Sequence, residues 1–297
     1  MTGVLLLDKH EGITSFRAAS QLRRIFGEKK IGHTGTLDPM ASGLLPVLLG
    51  GATRFSELLV SHDKAYRATF LLGVQTDTLD ITGAVVCQRY VDCGEADVLR
   101  ALDAFRGRIR QYPPMYSAVS QNGVRLYKLA RQGVEVERPA REVEIYRLEL
   151  VSSNVQKGEY IVDVRCSAGT YIRSLVCDLG EALGCGAVLT ALRRTEANGF
   201  FVRDAHTLDE LRACPPQELR AYVLPIDRVL SAYPAVAVTE KQAIRFKNGG
   251  ALDLGRLRGV GSGVLHRVYG PDGVFLGLGE LRPEQNELAV RRLLTER

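Results

Sequence analysis

Residues 143–166 read VEIYRLELVSSNVQKGEYIVDVRC, and this stretch decides the fold class. Apolar and polar residues alternate over Val143–Val151 and again over Tyr160–Cys166, the period of a strand with one buried face. A short polar connection joins the two runs, so they read as antiparallel strands. Working outward toward the C-terminus, Gly169 and Thr170 open a helix to about Leu183, and Ala187–Leu192 is the next strand. Toward the N-terminus come a short helix at Leu126–Gln132, a break at Tyr112–Pro114, a helix at Ala96–Phe105 and a polar loop at Thr76–Gly83. Before these lie strands at Tyr66–Leu72 and Leu44–Leu49, an aperiodic loop at Ile31–Gly43, and a helix at Phe16–Phe26, with Thr14 or Ser15 as its cap and Gly27 past its end. Val4–Asp8 is a short first strand. Strands and helices mix without strict βαβ alternation. The class is therefore α+β, a mixed, largely antiparallel central sheet flanked by helices, and not a Rossmann fold. Pro215, Pro216 and Pro225 mark a boundary. Beyond Val229 the chain turns Gly-rich, with short strands at Val264–Tyr269, Val274–Leu278 and Leu288–Leu294. The expected division is 1–228 for a large domain and 229–297 for a small β-rich one.

The 297 residues are 45% hydrophobic and 25% charged, ordinary for a globular protein. The first apolar run, Val4–Leu7, is cut by Asp8 and Lys9, well short of the about 7–15 residues of a signal peptide core. The run around Leu44–Ala52 falls short of the ~20 residues of a spanning helix. A cytoplasmic, monomeric protein with no membrane association is the expectation. Cys87, Cys93, Cys166, Cys177, Cys185 and Cys214 form no CxxC pair, and no His stands at zinc-finger spacing, so neither a disulfide framework nor a metal site is expected. The net charge is +5, carried by 31 Arg and only 8 Lys. Arginine suits RNA because it holds phosphates bidentately and stacks on bases; a GC-rich genome produces the same bias. Residues 228–297 hold 11 basic against 7 acidic side chains, a net of +4, which marks the tail as a polyanion-binding appendage.

Three segments carry candidate chemistry. Gly32-His33-Thr34-Gly35-Thr36-Leu37-Asp38-Pro39 puts a His and an Asp five residues apart in a loop rich in backbone constraint. Pro39 holds the residue before it extended, and such loops present side chains at fixed angles. An Asp turn cap beside an incidental His reads the same residues as pure structure. Gly169-Thr170-Tyr171-Ile172-Arg173 puts an arginine on the first turn of a helix, aimed back toward the loops. There it can pair with a carboxylate such as Asp38 and favour its ionised form; alone it reads as a surface Arg. Lys64-Ala65-Tyr66 enters a strand, and the Tyr is either core or a ring for base stacking. GxxxxGK[ST], HExxH, GxSxG and a post-strand GxGxxG are all absent.

In order along the chain, these segments and several others resemble the TruB family of tRNA pseudouridine synthases. The carriers are Leu7-Asp8-Lys9 with Gly12-Ile13-Thr14-Ser15, and GHTGTLDPMASGLLPVLLGGATRF at Gly32–Phe55. Next come Lys64-Ala65-Tyr66-Arg67 with Leu72-Gly73 and Thr76-Asp77-Thr78, then PPMYSA at Pro113–Ala118 with Gly123 and Arg125-Leu126-Tyr127. CSAGTYIRSLVCDLGEALGCGA at Cys166–Ala187 and Leu192-Arg193-Arg194 complete the set. The chain departs from the pattern at His10, where the family usually has Pro, and at Ser120, where it often has Lys. The resemblance implies a pseudouridine-synthase fold with a PUA-like RNA-binding tail. It also implies isomerisation of the T-loop uridine, position 55 of tRNA, with no cofactor and no obligatory protein partner. By the same resemblance Asp38 is the nucleophile, Arg173 holds it ionised and oriented, and Tyr66 stacks on the uracil. Tyr171 and Leu192 line the pocket, and His33 wedges into the space the flipped base vacates, at a cost of a few kcal/mol for flipping. A tRNA-folding chaperone whose binding is separable from catalysis is the alternative.

Overall fold

The computed structural model describes residues 1–59, 61–121 and 123–295. The first half runs β1 (Gly3–Lys9), α1 (Ser15–Phe26), β2 (Ile31–His33), β3 (Ala41–Leu49), β4 (Lys64–Leu72), a small hairpin β5 (Val74–Thr76) and β6 (Val85–Gln88), α2 (Glu95–Ala104) and β7 (Gly107–Gln111). A second hairpin, β8 (Ser120–Gln121) and β9 (Val124–Arg125), leads into α3 (Leu126–Arg131). Then come β10 (Arg141–Asn154), β11 (Glu159–Cys166), α4 (Ile172–Ala182), β12 (Ala187–Ala197), β13 (Phe200–Phe201), β14 (His206–Thr207), α5 (Leu208–Ala213), β15 (Val223–Leu224) and α6 (Ile226–Val229). The tail holds β16 (Ala235–Ala237), α7 (Glu240–Lys247), β17 (Leu252–Asp253), β18 (Leu265–Tyr269), β19 (Phe275–Arg282) and β20 (Glu287–Leu293).

Among the described residues the large sheet runs β14-β1-β3-β12-β4-β11-β10-β7. Its ladders are antiparallel except β1–β14 and β3–β12. The deciding stretch behaves as its alternation requires: β10 pairs antiparallel with β11, Leu148 opposite Val164 and Leu150 opposite Val162. The centre reads differently because both its faces are covered. In β1, Leu5 and Leu7 enter one core with Leu45, Val47 and Leu49 of β3, while Val4 and Leu6 enter a second core with Leu44 and Leu48. A strand buried on both sides appears as a continuous apolar run rather than an alternating one.

The second core joins the tail to the rest. Phe275 and Leu278 of β19 pack with Phe55, Leu44, Ile226 and Leu230, and the Phe55 and Phe275 rings lie 6.0 Å apart. Tyr233 donates to the Leu58 carbonyl at 3.0 Å. The tail forms its own sheet, β16-β18-β19-β20-β17, around a third core of Val236, Val238, Phe246, Leu252, Val268 and Leu288. A division between residues 228 and 229 would fall inside α6.

Two expectations need correction. The aperiodic stretch Ile31–Gly43 is not all loop. Ile31–His33 forms β2 on Val47–Leu49, and β3 begins at Ala41, so the free loop is residues 34–40. The strand beginning at Ala187 runs beyond Leu192 to Ala197, where Arg193 and Arg194 pair with Ser42 and Gly43 of β3. Only glycine fits at position 43: a Cβ there would meet the Arg194 carbonyl oxygen at 2.3 Å. Charged residues hid this strand end from a hydrophobicity pattern.

Candidate active site

The catalytic candidate loop is pinned from outside. Thr14 caps α1 by accepting from the Arg17 amide at 3.1 Å, leaving the next hydroxyl free for another task. Ser15 Oγ accepts from the Leu37 amide at 2.8 Å and donates to the Leu37 carbonyl at 3.1 Å. Gly12 N donates to the Pro39 carbonyl at 2.8 Å. Leu37 is buried in the main core. Between these fixed residues, Asp38 lines a cavity of about 280 Å³ with Gly35, Lys64, Tyr66, Ser117, Tyr171, Arg173 and Leu192, among others.

Arg173, on the first turn of α4, reaches Asp38 as its position predicts. Its Nε lies 2.9 Å from Asp38 Oδ2. Its two other nitrogens donate to the carbonyls of Thr78 and Tyr116, both at 2.8 Å, and Nη1 stands 3.8 Å from Asp80 Oδ2. The guanidinium is thus fully engaged and nearly buried. Sequence reasoning missed Asp80, which sat unmarked in the polar loop Thr76–Gly83. It is buried, and its Oδ1 accepts from Thr78 Oγ1 at 3.0 Å, Thr82 N at 3.0 Å and Thr82 Oγ1 at 2.5 Å. Leu79 between them adopts φ +64°, a conformation that costs an L side chain energy and marks a backbone held in place by its surroundings. Gln111 was missed as well. Its side chain accepts from the Tyr171 amide at 3.0 Å and donates to the Tyr171 carbonyl at 3.2 Å, fixing the residue that enters α4.

The electrostatics favour a carboxylate that is costly to charge. Burial raises the pKa of Asp38 above its usual value; Arg173 opposes this and Asp80 reinforces it. Arg173 therefore orients the carboxylate and offsets only part of the desolvation. If ionised Asp38 is the reacting form, the single-turnover rate should fall on acidification with a midpoint above 3.8, the value of an unperturbed Asp. A midpoint at or below that value would contradict the geometry.

Tyr66 is almost fully buried, and burial pushes its phenol up to about 12. It is neutral at physiological pH, a flat ring and a hydrogen-bond donor rather than a base. Behind it Arg194 is wholly buried. Its Nε donates to the Leu44 carbonyl at 2.6 Å and its Nη2 to the Gly35 carbonyl at 3.1 Å, and it forms no ion pair among the described residues. Lys9 is also fully buried, donating to the carbonyls of His10 and Ile13 at 2.9 Å, and burial lowers it to about 8. Lys64, on the cavity wall, is lowered by burial and by Arg194.

The structure thus brings Asp38, Tyr66, Tyr171, Arg173 and Leu192 to one cavity and leaves His33 off its lining. His33 ends β2 opposite Val47, half-buried. Burial and Arg194 lower its pKa, so the ring is neutral at pH 7.

Comparison with known proteins gives the family. The family description "TruB family pseudouridylate synthase (N terminal domain)" matches residues 23–172. "tRNA pseudouridylate synthase B C-terminal domain" matches 173–231, and "Pseudouridine synthase II TruB, C-terminal" matches 234–294. A tRNA pseudouridine synthase B from Thiobacillus denitrificans is 47% identical over 98% of this chain and 95% of the relative. One from Burkholderia mallei is 46% identical over 99% and 97%. Among solved structures, a chain from a Cbf5-Nop10-Gar1 complex superposes with a TM-score of 0.73 at 26% identity, covering 99% of this chain and 85% of that one. The fold, the cavity and these matches together place the chain in the TruB family of pseudouridylate synthases, as an RNA pseudouridine synthase.

Proposed function

We propose that this chain isomerises the T-loop uridine at position 55 of tRNA to pseudouridine, with Asp38 as nucleophile after the base is flipped from its stack. The observation that carries the chemistry is the Asp38–Arg173 contact of 2.9 Å in a cavity walled by Tyr66, Tyr171 and Leu192. The choice of tRNA rests on relatives named tRNA pseudouridine synthase B that match nearly the whole chain. Reactant and product are isomers. The N1–C1′ bond breaks, the uracil turns, C5 bonds to C1′, and the proton leaving C5 is balanced by one gained at N1. A carboxylate nucleophile assists by attack at C1′, by attack at C6, or by helping the base depart.

The roles follow from position. Arg173 holds Asp38 aimed into the cavity. The Tyr66 ring, neutral and rigidly backed by Arg194, offers a stacking face, with Tyr171 and Leu192 enclosing the base. His33, a neutral ring outside the cavity, fills the vacated stack without taking part in proton transfer. The redox-neutral reaction requires no electron carrier, and among the described residues no His/Cys/Asp/Glu group is arranged to hold a metal. Monomeric action in the cytoplasm, without an obligatory protein partner, is part of the same proposal.

The test is incubation of unmodified tRNA with pure, dialysed and chelated protein, followed by mapping of pseudouridine. Product at position 55 supports the reading; product at another uridine overturns the T-loop assignment. No product with intact tRNA refolding favours the chaperone alternative.

A further inference from the structure

The chain's positive charge is not confined to its tail. Residues 15–30, SFRAASQLRRIFGEKK, hold five basic side chains and one acidic one, a net of +4 in a chain whose total is +5. The one acid, Glu28, is tied to the N-terminal ammonium at 2.7 Å. Helix α1 contains no acidic residue. It buries Ser15, Ala18, Ala19 and Leu22 and turns Arg17, Arg23 and Arg24 to solvent. Spaced seven residues apart, Arg17 and Arg24 project from one face, about 10 Å from each other along the axis.

That face is one wall of a groove. Arg17, Ser20, Gln21, Arg24 and Arg212 line a cavity of about 390 Å³. Gln21, Arg24 and Arg212 also line the adjoining one, which extends along α5 to Leu219. Arg212 is tethered to Gln21 and to Asp209, whereas Arg17 and Arg24 have no carboxylate partner among the described residues. Helix α1 begins beside the catalytic loop, where Ser15 on its buried face clamps Leu37 next to Asp38, and Arg17 and Arg24 project from the opposite, solvent face. From Ser15 to Arg24 is about 13 Å along the helix.

We propose that the α1–α5 groove, through Arg17 and Arg24, binds the phosphate backbone of the substrate tRNA beyond the flipped uridine. The proposal rests on the reading of the chain as an enzyme acting on tRNA. Unpaired guanidiniums match phosphate oxygens bidentately, and the helix that carries them starts beside the catalytic loop, within reach of backbone that flanks a nucleotide bound there. A protein with an acidic face is the other polyanion this groove could meet, and the salt dependence below separates the two.

The experiment measures the affinity of the full chain for unmodified tRNA from low to high salt, for wild type, Arg17→Ala/Arg24→Ala and a control, Arg100→Ala/Arg147→Ala. The control removes the same charge from arginines that are exposed and paired with Asp97 and Glu149. If the groove takes two phosphates, the slope of log affinity against log salt should flatten by about 1.4–1.8 in the first double variant, with affinity down roughly tenfold or more. Arg17→Lys/Arg24→Lys should restore the slope. The control should bind as wild type. Unchanged slope and affinity in the alanine variant, with wild-type protein forming pseudouridine on the same tRNA, overturns the groove and points it toward a protein partner. An equal loss in the control overturns it too, by reducing the effect to net charge. Absence of product from the wild type overturns the enzymatic reading, and this proposal with it.

Discussion

Asp38→Asn should abolish pseudouridine formation while leaving tRNA binding intact. The amide keeps the size of the carboxylate but is a far poorer nucleophile, and removing a nucleophile costs on the order of 10⁴–10⁶ in rate. Its oxygen can still accept from Arg173 Nε, and Arg173 keeps Asp80, Thr78 and Tyr116 as partners, so the site should not collapse. Stability should move the other way from activity. Burial raises the Asp38 pKa in the folded chain, so its ionised form costs stability at every pH above the folded value, and the cost disappears below the unperturbed value of 3.8. The variant should therefore melt no lower than wild type at pH 7, with the difference closing as pH falls toward 4. The checks are single-turnover assays, melting across pH, and mass spectrometry to exclude deamidation back to Asp. Substantial product from a verified, folded Asn variant would sink the nucleophile assignment.

The second large effect is expected at Arg173. Arg173→Met removes the only cation in contact with two carboxylates, since among the described residues Asp38 and Asp80 pair with no other base. Arg173 and Asp80 are buried on both sides, and breaking such a pair from one side typically costs about 3–5 kcal/mol. It also strands the Thr78 and Tyr116 carbonyls that the guanidinium satisfies. The rate should fall by about 10²–10³, the usual cost of losing a preorganised electrostatic contact, and the acid midpoint should move higher still because the largest opposition to the desolvation of Asp38 is gone, leaving only the weaker pull of Lys9. Denaturant unfolding and the single-turnover pH profile would measure both. Arg173→Lys separates charge from geometry: it keeps a cation but lacks the planar fork that serves three partners at once. Wild-type rates in a folded Met variant would remove Arg173 from the mechanism.

How far the sequence announced this arrangement differs from residue to residue. Asp38 stood out because glycines and a proline crowd around it, and backbone constraint is written in residue type. Arg173 was legible as an arginine on a first helical turn, and the direction of helical side chains leads it back to the loop. Tyr66 was a candidate from the residues alone, but a ring on a strand reads equally as core, and its role, like the places of Tyr171 and Leu192, came through family likeness. Asp80 was invisible: it lies in a loop of threonines and aspartates whose composition signals a turn, and only the fold, through an isolated bridge to Leu189 of β12, brings that turn to Arg173. Arg194 was quoted only as part of a family motif, and its place behind the site was missed for the opposite reason, since a fully buried arginine with no ion pair among the described residues violates the rule that charge lies outside. The α+β class was readable from the alternation in β10 and β11. The helix Glu240–Lys247 was not drawn from the sequence, although its capping box of Thr239 and Gln242 is a pattern that sequence alone displays.

The core shared by the two ends of the chain also sets an order of events during synthesis. Val4, Leu6, Leu44, Leu48 and Phe55 leave the ribosome early, yet the face they form is closed by Phe275 and Leu278. At about 5–20 residues per second, the interval between Phe55 and Phe275 lasts roughly ten to forty seconds. For that time the nascent chain carries an uncovered apolar face on its first strands, far longer than the microseconds in which apolar chains collapse. The first strand made is among the last to be enclosed, and in that interval the chain is exposed to aggregation and open to capture by a holding chaperone.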